Sequence, residues 1–596
     1  MGGCRLCAKV LLAMAALSGG GVSAAPVPVT LERPAAGWQL MREGAPYPVR
    51  GVAGEVHLGL AARIGANSIR TWGVSDSLPA LLDEAAAHGL TVAVGLWLGH
   101  ERHGFRYDEP QQVVGQLEAC REAILRFRDH PAVLLWGIGN EMEAEGRNVA
   151  IWQHVNEIAA MAKELDPNHP TMTVISDCSE VKVRLLHEHC PSIDIVGMNS
   201  YGGAPTLPER YRAAGGTKPF IVTEYGPLGR WESPKTPWGA PIEATSTAKA
   251  EQYRRALEAQ QASPELCLGS YAFLWGWKQE ATPTWFGMLL PDGSRLAAAD
   301  VLSEAWSGQP PANRCPAIAS LVAETEAQLA PGDTFGASLA ASDPEGDPLE
   351  AEWSVMAEPG AYGTGGDAEA VPPSLPETLV ASSLTGAEAR APDQEGAYRL
   401  YVTVRDGQGG AATANLPFRV RVPGKIAAGR PAALPLVVYG DDAPGEPFAA
   451  SGWMGDTTSL ALDLECAETP AAGGTCLGVA FDKADGWAGV VWQDPPNDWG
   501  DAAGGYDLTG AHRLVWMARG AEGGERLKFG LGLLGEDKAF PDSARGEVEV
   551  TLTMGWQQFA IDLTGRELQC IKTGFYFVVV GQGVPVRFYV DDVRYE

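Results

Sequence analysis

The chain has 596 residues, 45% of them hydrophobic and 20% charged, enough apolar material for several cores and too little charge for a disordered polyelectrolyte. Its formal net charge of −29 argues against nucleic acid and against an anionic membrane surface, since both reward a basic face. Trp, at 18, outnumbers Phe and Tyr at 15 each; such a surplus fills cores or supplies flat apolar platforms with one donor, on which sugar faces stack.

Residues 1–24 read as a secretory signal: Arg5 and Lys9 ahead of the apolar stretch 10–17, then small residues ending at Ala24. No later segment has the ~18 unbroken apolar residues of a membrane span, so a secreted chain, periplasmic or extracellular, without membrane insertion is expected. Eight cysteines follow the signal with no Cys-x-x-Cys among them, which speaks against a zinc or redox site. Cys178 with Cys190, and Cys466 with Cys476, are near enough in sequence for local disulfides, and buried free thiols are the alternative.

From 26 to 308, eight short β-rich runs alternate with helical stretches: 49–55, 68–73, 91–98, 133–140, 172–177, 193–201, 220–225 and 270–277. Eight strand–helix repeats in this length predict a (β/α)8 TIM barrel, and no Gly-x-Gly-x-x-Gly follows the first strand to favour a nucleotide-binding open sheet. After a Pro-containing linker, 315–422 alternates short strands and turns and resembles the Ig-like or cadherin-like sandwiches of secreted enzymes, in the role of a spacer. The stretch 425–596 is β-rich throughout and predicts a jelly-roll sandwich. The expected fold class is therefore multidomain, a barrel followed by two all-β sandwich domains.

Barrel enzymes carry their chemistry where the strands end at the C-terminal rim. The fourth run, Ala132-Val-Leu-Leu-Trp-Gly-Ile-Gly-Asn140, leads into Glu141, and the seventh, Pro219-Phe-Ile-Val-Thr-Glu224, ends on a carboxylate. An acid at the end of an apolar run is costly unless paired or used. Two carboxylates across a sugar site are the equipment of glycoside hydrolysis, one protonated to assist the leaving group and one ionised to attack the anomeric carbon.

On these residues the chain resembles the clan A retaining glycoside hydrolases, which include family 2 and family 5 enzymes such as β-glucanases. The resemblance implies that Glu141 is the acid/base, Glu224 the nucleophile and Asn140 a ligand of the substrate 2-hydroxyl. It implies that Arg70, in Ser68-Ile-Arg-Thr-Trp-Gly73, bonds the nucleophile, and that Tyr201, in Gly197-Met-Asn-Ser-Tyr201, lies beside it. Trp275 or Trp277 matches the tryptophan under the cleaved sugar. Trp72, Trp97, Trp231, Trp238 and Trp285 are further platform candidates. His57, His100 and His103 are rim histidines that either bind hydroxyls or are plain loop residues, and Glu143 reads as a solvated neighbour of Glu141.

The same resemblance implies no catalytic cofactor and no metal in the barrel. In the C-terminal body, Asp441 or Asp442 with Asp591 or Asp592 is a candidate structural calcium site, with Asp441 and Asp592 as the chosen pair. An exposed Trp pair there, among Trp453, Trp487, Trp492, Trp499 and Trp556, would bind glycan. The expected activity is hydrolysis of a β-linked polysaccharide or oligosaccharide, a β-glucan first, by a monomeric enzyme. Transglycosylation on the same site and non-catalytic glycan binding or adhesion are the alternatives.

Overall fold

The computed structural model describes residues 26–596 except 144–145, 147, 237, 325–326, 360–361, 364, 422–428, 442–446, 469, 472, 536–537 and 539. The signal-like segment, Asp442 and the start of the C-terminal body lie outside the described residues. No described helix is long and apolar enough to cross a membrane.

Eight parallel strands close into a barrel: Val49–Ala53, Ser68–Arg70, Thr91–Leu96, Val133–Asn140, Thr171–Ser176, Ile195–Asn199, Phe220–Tyr225 and Cys267–Ala272. Each coincides with one of the eight expected runs, with ends differing by a few residues. Between and after them, among the described residues, run eight α-helices. The connection after strand four is typical: in Val149–Leu165, Ile151, Trp152, Val155, Ile158, Ala159 and Ala162 are buried at helical spacing, and the Asn148 side chain caps the start by accepting from the Ala150 N–H at 3.1 Å. Inside the barrel, Ala93, Leu135, Met172, Ile195, Ile221 and Tyr271 belong to one packed cluster.

A small antiparallel sheet, Val29–Glu32, Gln39–Arg42 and Ala45–Pro46, precedes the first barrel strand. Its Val29 and Leu40 join the interior cluster, and its backbone bonds to Asn168 and Glu265, which precede strands five and eight. It therefore plugs the N-terminal end of the barrel, leaving the C-terminal rim for chemistry.

Two β-sandwiches follow. In the second domain, a four-stranded sheet containing Thr334–Ser342 packs with another containing Glu350–Ala357, Gly396–Arg405 and Ala411–Val420 over a core of Trp353, Leu400 and Phe418. In the third, a six-stranded and a five-stranded sheet enclose Trp492, Trp516, Phe529, Phe577 and Phe588.

The second domain is not held at a distance from the barrel. Thr413 N–H donates to Ser246 Oγ at 2.9 Å, and Asn415 Nδ2 to Glu243 Oε2 at 2.5 Å. Arg399, fully buried, pairs with Glu358 at 2.6 Å, donates to Asn415 Oδ1 at 2.7 Å and reaches the Pro241 carbonyl of the barrel. Removing one member of a buried ion pair strands the other charge. Arg399→Ala is expected to destabilise the folded chain by about 3 kcal/mol, read as an earlier transition in chemical denaturation; an unchanged midpoint would refute the role given to this network.

All eight described cysteines are free thiols, and Cys466 and Cys476 face each other in cross-strand register. In the third domain Trp453 pairs in register with Val490, whereas Trp487 follows the opposite parity with Met454 and Gly489. The two exposed tryptophans therefore project from opposite faces and form no pair; Trp492 is buried. Trp487 lines a groove of about 790 Å³ with Met454, Tyr576 and Val578.

The calcium expectation meets a poor donor set. Asp441 accepts from Gly474 N–H at 2.5 Å and Thr475 Oγ1 at 2.8 Å, while Asp592 is paired with Arg594. Among the described residues no group of three or more His, Cys, Asp or Glu could hold a metal ion. These two carboxylates do not fit a calcium cradle.

Candidate active site

Glu141 follows strand four with φ of 53°, in the left-handed region that costs a non-glycine residue strain. The turn is made possible by Gly139 (φ 72°), where an added Cβ would lie 2.1 Å from Met142 Sδ. The Gly-Asn-Glu sequence thus ends the strand and swings the carboxylate into a cavity of about 700 Å³ at the C-terminal rim, which Glu224 also lines.

Glu224 is buried and accepts three hydrogen bonds. Arg70 Nη1 and Trp72 Nε1 donate to Oε1 at 2.8 and 2.9 Å, and Tyr201 OH donates to Oε2 at 2.8 Å. Charge-assisted bonds of this kind favour the ionised carboxylate. Tyr201 is held in its neutral, donating form: burial, then the charge of Glu224, pushes the phenol well above its usual range.

Glu141 has the opposite environment. Burial first, and the negative charge of Glu224 second, raise its carboxyl to about 7, against one lowering bond from Asn199 Nδ2 at 2.6 Å. A carboxyl raised by burial thus stands in the same cavity as one that accepts three hydrogen bonds. The two are linked through protein: Asn140 Oδ1 accepts from Arg70 Nη2 at 2.6 Å and from Asn199 Nδ2 at 3.2 Å.

Asn199 is the member that sequence reasoning passed over. It is the register partner of Glu224 on the neighbouring strand and is oriented by Thr223 Oγ1, which donates to its Oδ1 at 2.8 Å. A polar residue closing the buried strand Ile195–Asn199 was the available signal.

Arg70, Trp72, Asn140, Glu141, Tyr201 and Glu224 are thus in one constellation, and Trp231, 52% exposed, lines the same cavity edge-on to Tyr201. Trp275 is a correction. It is 1% exposed with its indole N–H donating to the Val56 carbonyl at 2.9 Å, and Phe273 and Leu274 line the cavity instead. Trp277, though 37% exposed, is not among the residues lining it. Trp285 is buried and bonded to Leu228, and Trp238 lines a separate cavity between the domains. Trp97 lines the site, stacked on His100 at 4.9 Å. Glu143 is not solvated: it is buried and accepts from both the N–H and the hydroxyl of Ser176 at 2.9 Å.

With one donor to Glu224 removed and the ring retained, Tyr201→Phe is expected to lower kcat by roughly 10-fold, as one hydrogen bond to a charged group is worth about 1.5–3 kcal/mol. Steady-state kinetics check this, and a change confined to KM would place Tyr201 in substrate binding alone.

Residues 79–229 match the family model for glycosyl hydrolases family 2, TIM barrel domain, a span that carries Asn140, Glu141, Asn199, Tyr201 and Glu224. This is a clan A glycoside hydrolase barrel of the family 2 type. The chain is accordingly a retaining glycoside hydrolase, a class whose chemistry needs no catalytic cofactor.

Among solved structures, Bacteroides uniformis beta-glucuronidase 2, bound covalently to cyclophellitol-6-carboxylate aziridine, is 14% identical over 95% of this chain and 67% of its own, with a TM-score of 0.38. The beta-glucuronidase of an uncultured Clostridium sp. is 19% identical over 48% of this chain and 54% of its own, TM-score 0.37. That of Bifidobacterium dentium, complexed with coumarin-3-O-glucuronide, is 20% identical over 47% and 50%, TM-score 0.36. Likeness at this level carries no substrate across to this family 2 type barrel.

Proposed function

We propose that the protein is an exported β-glycosidase that cleaves a β-linked glucan by double displacement. Glu224 attacks the anomeric carbon while Glu141 gives its proton to the departing oxygen; Glu141 then takes a proton from the incoming water, whose oxygen displaces Glu224. The observation that carries this reading is the contrast between the two carboxyls in one cavity, one bonded by three donors and one pushed up to about 7. Arg70 and Trp72 orient Glu224, Asn140 is placed for the substrate 2-hydroxyl, and Trp231 and Trp97 supply apolar faces for stacking. The choice of glucan rests on resemblance to β-glucanases, and export rests on residues 1–24.

The test is a panel of β-glucans and β-glycosides followed by NMR of the first product formed. Release of the β-anomer supports double displacement. First formation of the α-anomer would overturn the mechanism, and cleavage of none of the panel would overturn the hydrolase reading.

A further inference from the structure

The cavity has a wall that the barrel does not make. A turn of the second domain, between its strands Glu350–Ala357 and Leu379–Ser382, reaches the barrel rim, where Gly365, Gly366 and Asp367 line the cavity with Glu141 and Glu224. Three cations from three barrel loops hold its backbone. Arg102, after strand three, donates to the Gly365 carbonyl at 3.5 Å; Lys278, after strand eight, donates to that of Gly366 at 2.7 Å; Arg230, after strand seven, donates to that of Gly363. Strands three and seven stand opposite each other in an eight-strand ring, so the turn spans the mouth of the barrel. Glu369 fastens its far end, accepting from Ala281 N–H at 2.7 Å.

We propose that the second domain completes the catalytic cavity and that Asp367 is a specificity-determining residue, accepting hydrogen bonds from hydroxyls of the bound sugar. This rests on the glycosidase reading above and names a group that reading lacks. Asp367 is not needed to dock the turn, because Arg230 and Lys278 already hold the carbonyls of Gly363 and Gly366. Its own side-chain contacts are two: Arg102 Nη2 at 3.4 Å from Oδ1 and His103 Nε2 at 3.1 Å from Oδ2. The side chain is 38% exposed, and Asp367 lines the cavity that holds Glu141 and Glu224. An ionised carboxylate offers about four acceptor sites and no donor, so lone pairs remain for ligand hydroxyls. The neighbours keep it ionised: although burial opposes it, bonds to His103 and Arg102 hold the carboxyl below its ordinary range. A site that bonds a hydroxyl rejects the epimer that misplaces it, which is how one residue from a distant domain can set the choice of sugar.

The buried Arg399 network explains how a turn from another domain can be placed with the accuracy such a contact needs. Glu358, the partner of Arg399, opens this segment directly after the strand Glu350–Ala357, and Tyr362 within it lies under Arg230 at 5.2 Å.

The experiment compares wild type with Asp367→Ala and Asp367→Asn on 4-nitrophenyl β-glycosides of glucose, galactose, mannose, xylose and glucuronic acid. For the best substrate, kcat/KM is expected to fall at least ~10-fold in Asp367→Ala, mainly through KM, as for a lost bond to a charged group. Poorer substrates should fall less than about 2-fold, so that discrimination narrows, with Asp367→Asn intermediate. A preference ratio unchanged within about 2-fold overturns the proposal. If wild type cleaves none of these and none of the β-glucans above, the glycosidase reading fails separately. Calorimetric titration with the five methyl β-glycosides then decides: binding of one of them that weakens ~10-fold in Asp367→Ala supports the wall, and equal binding, or no binding to any, overturns it.

Discussion

Glu224→Gln is expected to lower kcat/KM by on the order of 10⁴-fold or more, equivalent to about 5.5 kcal/mol of transition-state stabilisation, with the fold intact. The substitution is nearly isosteric. Its amide oxygen can occupy the Oε1 position and keep accepting from Arg70 and Trp72, and its NH2 can occupy the Oε2 position and donate to Tyr201, whose hydroxyl rotates to accept. What is lost is the negative oxygen that forms the glycosyl–enzyme bond. Far-UV circular dichroism and the denaturation midpoint establish that the variant is folded, and turnover of the best substrate then reads the chemical defect. A folded Glu224→Gln with turnover within about 10-fold of wild type would remove Glu224 from the nucleophile's role. Glu224→Ala adds a check on geometry: the space left by the carboxylate admits azide from the face that Glu224 occupies, and the product should be the α-glycosyl azide.

Much of this site is legible in the sequence because barrel architecture turns local pattern into position. Each strand is an apolar run of a few residues, and the residue that ends it stands on the rim, so Glu141, Glu224, Arg70 and Asn140 can be placed by counting alone. The same counting fails where contacts come from elsewhere. Glu143 looks solvated beside Glu141, yet it is buried by Ser176, 33 residues away on the next strand, and by Lys182 at 3.0 Å. Trp275 shares strand parity with Phe273, and parity alone does not say which of two aromatics faces the cavity; here Phe273 does, while Trp275 is anchored on Val56.

The tryptophan surplus divides in the same way. Trp136, Trp152, Trp275, Trp285 and Trp516 are fully buried fillers, whereas Trp97 and Trp231 offer exposed faces at the site. Composition cannot distinguish these, because an indole suits both environments. Least legible is the second domain. Its alternating strands announce a sandwich, but nothing local in a glycine-rich turn shows that its carbonyls lie on Arg102, Arg230 and Lys278. The spacer expected from sequence is, in the structure, one wall of the catalytic cavity.

Glu141→Ala is expected to show a defect that depends on the leaving group and to lose the basic limb of the pH profile. As general acid, Glu141 must be protonated. With its carboxyl raised to about 7, activity should hold below that value and fall as pH rises through it. At neutral pH far more of the molecules therefore carry this proton than would for a carboxyl at the ordinary value. Because burial is the leading cause of the shift, with Glu224 second, Glu224→Gln should lower the titration of the Glu141 carboxyl without returning it to the ordinary range. NMR follows that titration, since this variant turns over too little for a pH profile.

For a substrate whose leaving group needs protonation, removing the acid should cost ~10³-fold in kcat/KM, within the range for general acid–base catalysis. For a 2,4-dinitrophenyl glycoside, which departs unaided, the first step should slow by only about 10-fold or less. The second step then limits turnover, since no base remains to activate water. Azide needs no base and enters on the face that Glu141 vacated, so it should restore turnover and yield the β-glycosyl azide. The configuration of the two azide products, β from Glu141→Ala and α from Glu224→Ala, assigns the two carboxylates independently of any rate. If both variants gave the same anomer, the division of labour between Glu141 and Glu224 would be wrong even with both residues essential.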